Sequence, residues 1–253
     1  MVEIIKDNSP RFVTGTLLLA LVLAVGLIDN YFLTWLFFGI VFMFAFYETL
    51  RLLKMDSHNN LFFWAALLWL IAYFYPNPDD LFFLVAIVFA SFLAYHRDYD
   101  TKNFLPFLYP ASGFLFLLAL YHDFGMEALI WLLIVVASTD IGAFFAGKMF
   151  GRRPFCPTSP KKTWEGVVGG VVLGTLLGAY YALVLVDIGY GLFISFAVSV
   201  ASVFGDLFES YLKRRANVKD SGNILPGHGG VLDRVDGYLF AAPAMVVLLR
   251  GVL

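Results

Sequence analysis

Charged residues are scarce in this 253-residue chain, since Asp, Glu, Lys and Arg make up 14% of it while 60% is hydrophobic. Soluble domains carry roughly 25% charged residues, so the composition excludes an ordinary soluble protein. Cysteine is almost absent as well: Cys156 is the only one, and no disulfide can form within the chain. The apolar runs at 61–74 and 81–94 do not alternate with polar residues, which excludes a transmembrane β-barrel.

Several well-known catalytic motifs are also missing. The sequence contains no G-x-x-x-x-G-K-[ST] phosphate loop, no G-x-S-x-G serine elbow and no H-E-x-x-H zinc helix. No repeat of 20 to 50 residues is visible either, which excludes a solenoid. Any chemistry must therefore come from a different arrangement of residues.

Long apolar runs recur along the whole chain, and a bilayer core about 30 Å thick needs roughly 20 residues per spanning helix. We predict nine spans, at 12–28, 31–47, 61–75, 81–95, 104–121, 128–150, 167–186, 190–210 and 235–252. The first run is expected to be a span and not a cleaved signal peptide, because no small-residue cleavage site follows it. The shorter runs could be tilted helices, or one pair could form a re-entrant hairpin.

The basic residues predict the orientation, because Lys and Arg collect on the cytoplasmic side of a membrane protein. With the N-terminus inside, every Lys and Arg except Arg250 falls on that side, and the outer turns carry acids. We therefore predict an all-α polytopic membrane protein with about nine transmembrane helices, a cytoplasmic N-terminus and an active site at the cytoplasmic membrane face. Residues 1–127 would form the N-terminal helices. Residues 128–253 would form a catalytic region with two cytoplasmic loops, 151–165 and 211–234.

One predicted span carries a glycine at every fourth position: Gly166, Gly170, Gly174 and Gly178. Small residues at this spacing let two helices in lipid pack closely. Tight packing against a neighbouring helix is the favoured interpretation, and a substrate path along the groove is the alternative.

Polar residues follow the inner end of the eighth span. Asp206, Glu209, Ser210 and Lys213 are three or four residues apart and share one helical face. Carboxylates near a membrane boundary need cations or water, so Asp206 is a functional candidate. Glu209 is either functional or one half of a structural pair with a lysine.

A carboxylate inside the sixth span, Asp140, is a second functional candidate. Its alternative role is to pair with Lys148 or with a base of an inner loop. Lys161 and Lys162 stand just before the glycine-striped helix, whose N-terminal N–H groups add positive potential. These lysines are either anion ligands or a topology signal.

The segment KDSGNILPGHGGVLDRVDG, residues 219–237, is polar, Gly-rich and heavily charged in a chain that is otherwise almost wholly apolar. Its Pro and Gly residues predict a bend that exposes backbone N–H groups, as phosphate-binding loops do. His228 in this bend either has no special role or donates to a phosphate oxygen. Asp233 and Asp236 would lie on one helical face, about 5–6 Å apart at Cβ, which suits a hard cation such as Mg²⁺. A helix-start role for one of these acids is the alternative.

Cations, carboxylates and glycines beside a bilayer suit the transfer of a phosphoryl or nucleotidyl group, because that catalysis is mostly positioning and charge neutralisation. The basic run before the loop could instead be topology signal and headgroup attraction. A transporter with Asp140 and Asp206 along an ion path is a distant alternative. The gathering of charge at one face argues against it.

The stretch SYLKRRANVKDSGNILPGHGGVLDRVD, residues 210–236, resembles the signature of the phosphatidate cytidylyltransferases, or CDP-diacylglycerol synthases. That signature is Ser-x-hydrophobic-Lys-Arg, four residues, Lys-Asp, then Pro-Gly-His-Gly-Gly, two residues, and Asp-Arg-x-Asp. STDIGAFFAGKMFGR and SPKKTWEG are similar to two further blocks of the family, so the resemblance extends from about Ser138 onward.

The resemblance implies a reaction between CTP and phosphatidate that gives CDP-diacylglycerol and pyrophosphate and requires Mg²⁺. It also implies a second, monovalent cation such as K⁺, a homodimer, and a multi-pass location in the cytoplasmic (inner) membrane among membrane lipids, with no nucleic-acid partner. Another lipid acceptor, an ether-lipid phosphate or a polyprenol, is the closest alternative.

The roles expected from the resemblance fall into three groups. The catalytic residues would be Lys219, Asp220, Asp233 and Asp236. The metal ligands would be Asp220, Asp233, Asp236 and Asp206, with Asp140 as a further candidate. The substrate-binding residues would be Ser210, Lys213, Arg214, Gly227, His228, Gly229, Gly230, Arg234, Lys161 and Lys162.

Overall fold

The computed structural model describes residues 2–55, 59–96 and 100–253. Nearly all of this is helical. The helices are α1 (Val2–Ile28), α2 (Tyr31–Leu52), α3 (Asn59–Phe74), α4 (Leu81–Tyr95), α5 (Ser112–Phe150), α6 (Trp164–Ala182), α7 (Ile188–Ala216) and α8 (Leu232–Arg250). Short 3-10 turns at Pro78–Asp80 and Thr101–Phe104 and a π turn at Phe107–Ala111 complete the helical part.

Polar caps set several helix ends. Asn30 accepts the backbone N–H of Leu33 at the start of α2, and Thr163 accepts that of Gly166 at the start of α6. Asn217 ends α7 in the left-handed conformation, with φ 59. At each of these ends the cap residue bonds to the backbone of the terminal turn, where groups lack partners within the helix.

Five helical stretches are long and apolar enough to cross a membrane: Tyr31–Leu52, Pro78–Tyr95, Thr101–Phe150, Trp164–Ala182 and Ile188–Ala216. Val13–Ile28 and Asn60–Phe74 are shorter apolar helices. The fifth and sixth predicted spans meet in α5, where Gly125 has φ 77 and breaks the helical conformation. A membrane protein of many helices is thus supported by length and composition.

The connections differ from prediction in two ways. The expected all-α fold contains one antiparallel hairpin, β1 (Pro154–Cys156) with β2 (Ser159–Thr163). Glu165 closes this hairpin by accepting the backbone N–H groups of Arg152 and Arg153. The predicted loop at 211–234 is shorter than expected, because α7 continues to Ala216 and α8 begins at Leu232.

The glycine stripe of α6 packs against α5, and this pair makes the most extensive helix contact in the fold. A Cβ atom on Gly174 would come within 2.8 Å of Ser199 Oγ and 3.1 Å of the Val135 carbonyl oxygen. All four stripe glycines are buried. The packing interpretation is confirmed, and it brings α6 against both α5 and α7.

Candidate active site

The two polar connections meet at one end of the helix bundle. Lys162 of β2 forms an ion pair and a hydrogen bond with Asp206 of α7. The Ser210 hydroxyl lies 3.4 Å from the other oxygen of Asp206 and donates to it. We call this region the site end. The hairpin thus carries one predicted phosphate ligand directly to the acids of α7.

A second charge cluster lies beside the first. The Lys213 ammonium pairs with the Glu209 carboxylate one turn earlier on α7 and with Asp233 Oδ1 at 2.7 Å. Glu209 is fully buried, so its negative charge needs this lysine. The structure therefore supports the carboxylate–lysine pair as the interpretation of Glu209. Lys213 also joins α7 to the start of α8.

Asp233 lies in the first turn of α8, before the apolar part of that helix begins. Its Oδ1 accepts from Lys213. Its Oδ2 accepts the Ser221 N–H at 3.0 Å, the Ser221 hydroxyl at 2.9 Å and the Gly230 N–H at 2.8 Å. Burial alone would raise the pKa of Asp233, but the hydrogen bonds from Lys213 and Gly230 outweigh it and the pKa is lowered. Asp233 stays ionised and holds the loop 217–231 onto α8.

The Pro-Gly-His-Gly-Gly segment forms a tight turn. The Leu225 N–H donates to the Gly229 carbonyl at 3.0 Å, and the His228 N–H donates back to the Leu225 carbonyl at 2.9 Å. Gly227 and Gly229 have φ of 74 and 82, values that side chains disfavour. The Arg234 guanidinium donates twice to the His228 carbonyl, at 3.0 and 2.7 Å. The predicted bend is confirmed, and Arg234 braces it.

The other predicted ligands surround this turn. Lys161, Lys219 and Asp220 are exposed at the site end. Asp220 lies beside Gly229, whose Cβ position is 3.6 Å from the Asp220 Cβ atom. The Arg214 guanidinium donates to the Val218 carbonyl at 3.3 Å and is exposed. Four side chains of this site therefore face outward, where a polyanion could reach them.

The His228 side chain points inward, away from the four exposed side chains of the site. Its imidazole lies against Gly15 of α1, and its buried Nδ1 atom has no hydrogen-bond partner within the described residues. Buried polar atoms usually have partners, so this nitrogen is suited to a ligand or to water. The structure thus leaves the predicted donor role of His228 open to test.

Asp140, Asp206 and Asp236 lie within electrostatic range of one another. Asp236 Oδ1 accepts the Gly237 N–H at 2.8 Å, and neither Asp140 nor Asp236 forms an ion pair within the described ranges. Lys148 is not the partner of Asp140, because it lies over the Phe144 ring at 5.8 Å. In 2–55, 59–96 and 100–253 no group of three or more His, Cys, Asp or Glu side chains is arranged to hold a metal. The excess of carboxylates over lysines at this point nevertheless suits a bound cation.

Two residues of the site were missed at the sequence level, and both come from the N-terminal half. Glu48 of α2 is fully buried and accepts hydrogen bonds from the loop and from α8. Tyr109 is buried near Asp236 and Glu209, and its hydroxyl has no hydrogen-bond partner within the described residues. A lone acid directly after the apolar run 31–47 was the only available signal for Glu48. Nothing in the spacing marked Tyr109.

Comparison with known proteins gives a consistent result. The Cytidylyltransferase family matches residues 9–252. A "Phosphatidate cytidylyltransferase" of Helicobacter pylori is 45% identical over 249 residues, covering 98% of this chain and 93% of the relative. Relatives of the same name from Bacillus subtilis and Thermotoga maritima are 34% and 35% identical, covering 96% and 83% of this chain and 98% and 85% of their own lengths.

Proposed function

The chain belongs to the cytidylyltransferase family, and from this membership we propose that it catalyses the reaction of CTP with phosphatidate to give CDP-diacylglycerol and pyrophosphate. The relatives that match nearly its whole length carry the name phosphatidate cytidylyltransferase. The structural observation that supports the reaction best is the ion pair between Lys162 and Asp206, because it joins the two polar connections into one site.

The reaction needs no covalent intermediate with the protein. A phosphatidate oxygen attacks the α-phosphorus of CTP, a new P–O bond forms, and the bond to the β-phosphate oxygen breaks as pyrophosphate leaves. The chain's contribution is positioning and charge neutralisation. Lys219 and Arg214 are exposed beside the turn and would bind the triphosphate, while Lys162 would hold the lipid or nucleotide phosphate.

Mg²⁺ is proposed as the cofactor, and when bound it would neutralise charge on the triphosphate oxygens. Asp236 fits such a cation best, since Asp206 repels it and it forms no ion pair within the described ranges. Asp206 would join it by releasing Lys162 and Ser210, which bond to its two oxygens. Asp140 stands near enough to contribute charge. Asp220 is exposed at the site end. Both oxygens of Asp233 already accept hydrogen bonds, so Asp233 is less available to a cation than Asp236. A monovalent cation such as K⁺ is proposed beside these acids.

For the membrane arrangement we propose a multi-pass protein of the cytoplasmic membrane with nine spans, an inside N-terminus and the site end in the cytoplasm. The positive-inside distribution supports this orientation. Arg250, the single base on the opposite side, pairs there with Asp79 and Asp123. A homodimer is proposed as the assembly.

The decisive experiment supplies detergent-purified protein with CTP, phosphatidate and Mg²⁺ and follows pyrophosphate and the nucleotide-bearing lipid by mass spectrometry. EDTA and the Asp233→Asn variant serve as controls. We expect equal amounts of the two products with the native protein and none in either control. Product from ether-lipid or polyprenyl phosphates but not from phosphatidate would identify a different acceptor. Absence of product with every lipid phosphate would reject the proposal.

A further inference from the structure

Glu48 is an acid in the penultimate turn of the apolar helix α2, which ends at Leu52, and no part of its side chain is exposed. Its carboxylate accepts the Val231 N–H at 3.1 Å and the Leu232 N–H at 2.8 Å, and it shares the one hydrogen of the Ser221 hydroxyl, 3.0 Å away, with Asp233. The two N–H groups lie at the start of α8, so an acid from a distant helix caps α8. All three donors belong to the segment that carries the site.

The glycines around Glu48 leave room for its carboxylate. A Cβ atom on Gly230 would lie 2.6 and 2.7 Å from the two Glu48 oxygens, and one on Gly222 would lie 2.8 Å from Glu48 Cδ. Real Cβ atoms do not approach this closely. Gly230 therefore makes space for an acid of this chain, whereas the sequence suggested close approach of a ligand.

Ser221 links this buried acid to the charge cluster of the site. Its Oγ lies 3.0 Å from Glu48 Oε2 and 2.9 Å from Asp233 Oδ2. Asp233 in turn binds Lys213 and the Gly230 N–H. Glu48 is thus connected through one hydroxyl to the carboxylate that fixes the loop.

We propose that Glu48 is a positioning residue for CTP: it fixes the loop 217–231 and the start of α8 so that the outward-facing cations meet the triphosphate. The inference rests on the proposed function and adds a residue of the N-terminal half to the nucleotide site. Glu48 already accepts hydrogen bonds from the Val231 and Leu232 N–H groups, so these two groups are not available to the triphosphate. The triphosphate is instead bound by the exposed side chains of Lys219 and Arg214 and by outward-facing N–H groups of the turn.

The test compares Glu48→Gln with Thr49→Val. Glutamine keeps the shape but turns an NH₂ group toward one of the donors, which leaves a buried N–H unpaired. Thr49 is the matched control, because it is the next residue in the sequence, is also buried, and among the residues that the structure describes its hydroxyl bonds only within α2, to the Ala45 carbonyl at 2.8 Å. The KM for CTP, the KM for phosphatidate and the thermal midpoint are measured for each.

We expect Glu48→Gln to raise the KM for CTP by about tenfold or more, with the KM for phosphatidate within about twofold and Thr49→Val like the native protein. Equal changes in both KM values, or an unchanged KM for CTP, would overturn the inference. If Glu48→Gln does not fold, Ser221→Ala provides the test, since it removes the hydroxyl that links Glu48 to Asp233; it must raise the KM for CTP selectively or the inference fails. Native protein that makes no CDP-diacylglycerol would instead reject the proposed function.

Discussion

Lys161 and Lys162 are neighbours in the sequence but differ in their surroundings. Lys162 pairs with Asp206, whereas Lys161 is exposed and forms no ion pair within the described residues. We expect Lys162→Met to lower kcat/KM about 10²-fold, the typical cost of removing one preorganised electrostatic donor. Lys161→Met should lower kcat/KM by less than about tenfold, because salt screens the attraction between an exposed cation and the substrate. Steady-state kinetics with CTP varied would decide, and equal losses in both variants would contradict the difference in role.

Which residues could be predicted from the sequence depends on how far apart in the chain their partners lie. The acids and bases between 206 and 236 are close in sequence, so helical spacing was enough to predict that several of them lie together, as Ser210 does with Asp206 and Lys213 with Glu209. Glu48 binds Ser221 across 173 residues, and no local pattern encodes that contact. Asp233 was predicted from spacing as a metal ligand, and this role stays a prediction, whereas its hydrogen bonds with Lys213, Ser221 and Gly230 could not be predicted from spacing.

At the scale of elements, the interface between α5 and α6 depends on glycines, which have no side chain to hold the two helices apart. Gly174→Ala would place a methyl group 2.8 Å from Ser199 Oγ, and overpacking of this kind costs typically about 1–3 kcal/mol. Gly189 in the first turn of α7 is the matched control, because a Cβ atom there meets nothing within 4 Å. We expect Gly174→Ala to lower the thermal midpoint in detergent and Gly189→Ala to leave it unchanged or slightly higher. A similar response of both variants would show that α5 and α6 can separate without cost.

Hydropathy predicted that helices exist but not how they join. The apolar runs at 104–121 and 128–150 were predicted as separate spans, and Gly125, with φ 77 and ψ -171, breaks the helical conformation of Ser112–Phe150 between them. The hairpin of β1 and β2 was missed because Ser159–Thr163 is short and polar. It is formed by contacts with Glu165 and the start of α6. Such small elements depend on tertiary partners that a local pattern does not contain.

At the scale of the whole molecule, a second cluster of ion-paired side chains lies at the end of the helix bundle opposite the site. α8 (Leu232–Arg250) has 19 residues and extends about 28 Å, with Asp233 in its first turn and Arg250 at its other end. The Arg250 guanidinium binds Asp79 at 2.6 and 2.9 Å and Asp123 at 2.7 Å. Asp79 is only 4% exposed, so Arg250→Met would leave a buried carboxylate unpaired. Such a change typically lowers the free energy of unfolding by about 3–5 kcal/mol. We expect a lower thermal midpoint in detergent with an unchanged KM for CTP, because the site is at the far end. A changed KM with an unchanged midpoint would contradict this separation.

The orientation of the molecule can be tested with its single cysteine. Cys156 lies in β1 at the site end, is partly exposed and is not in a disulfide. If the site end faces the cytoplasm, a membrane-impermeant maleimide should label Cys156 in inverted vesicles and leave it unmodified in intact spheroplasts. The Cys156→Ser/Asp187→Cys protein is the matched control, because Asp187 is exposed between α6 and α7 at the predicted outer side. Its label should appear in spheroplasts. The reverse pattern in the two proteins would show that the site end faces the outside of the cell, where cytoplasmic CTP cannot reach it.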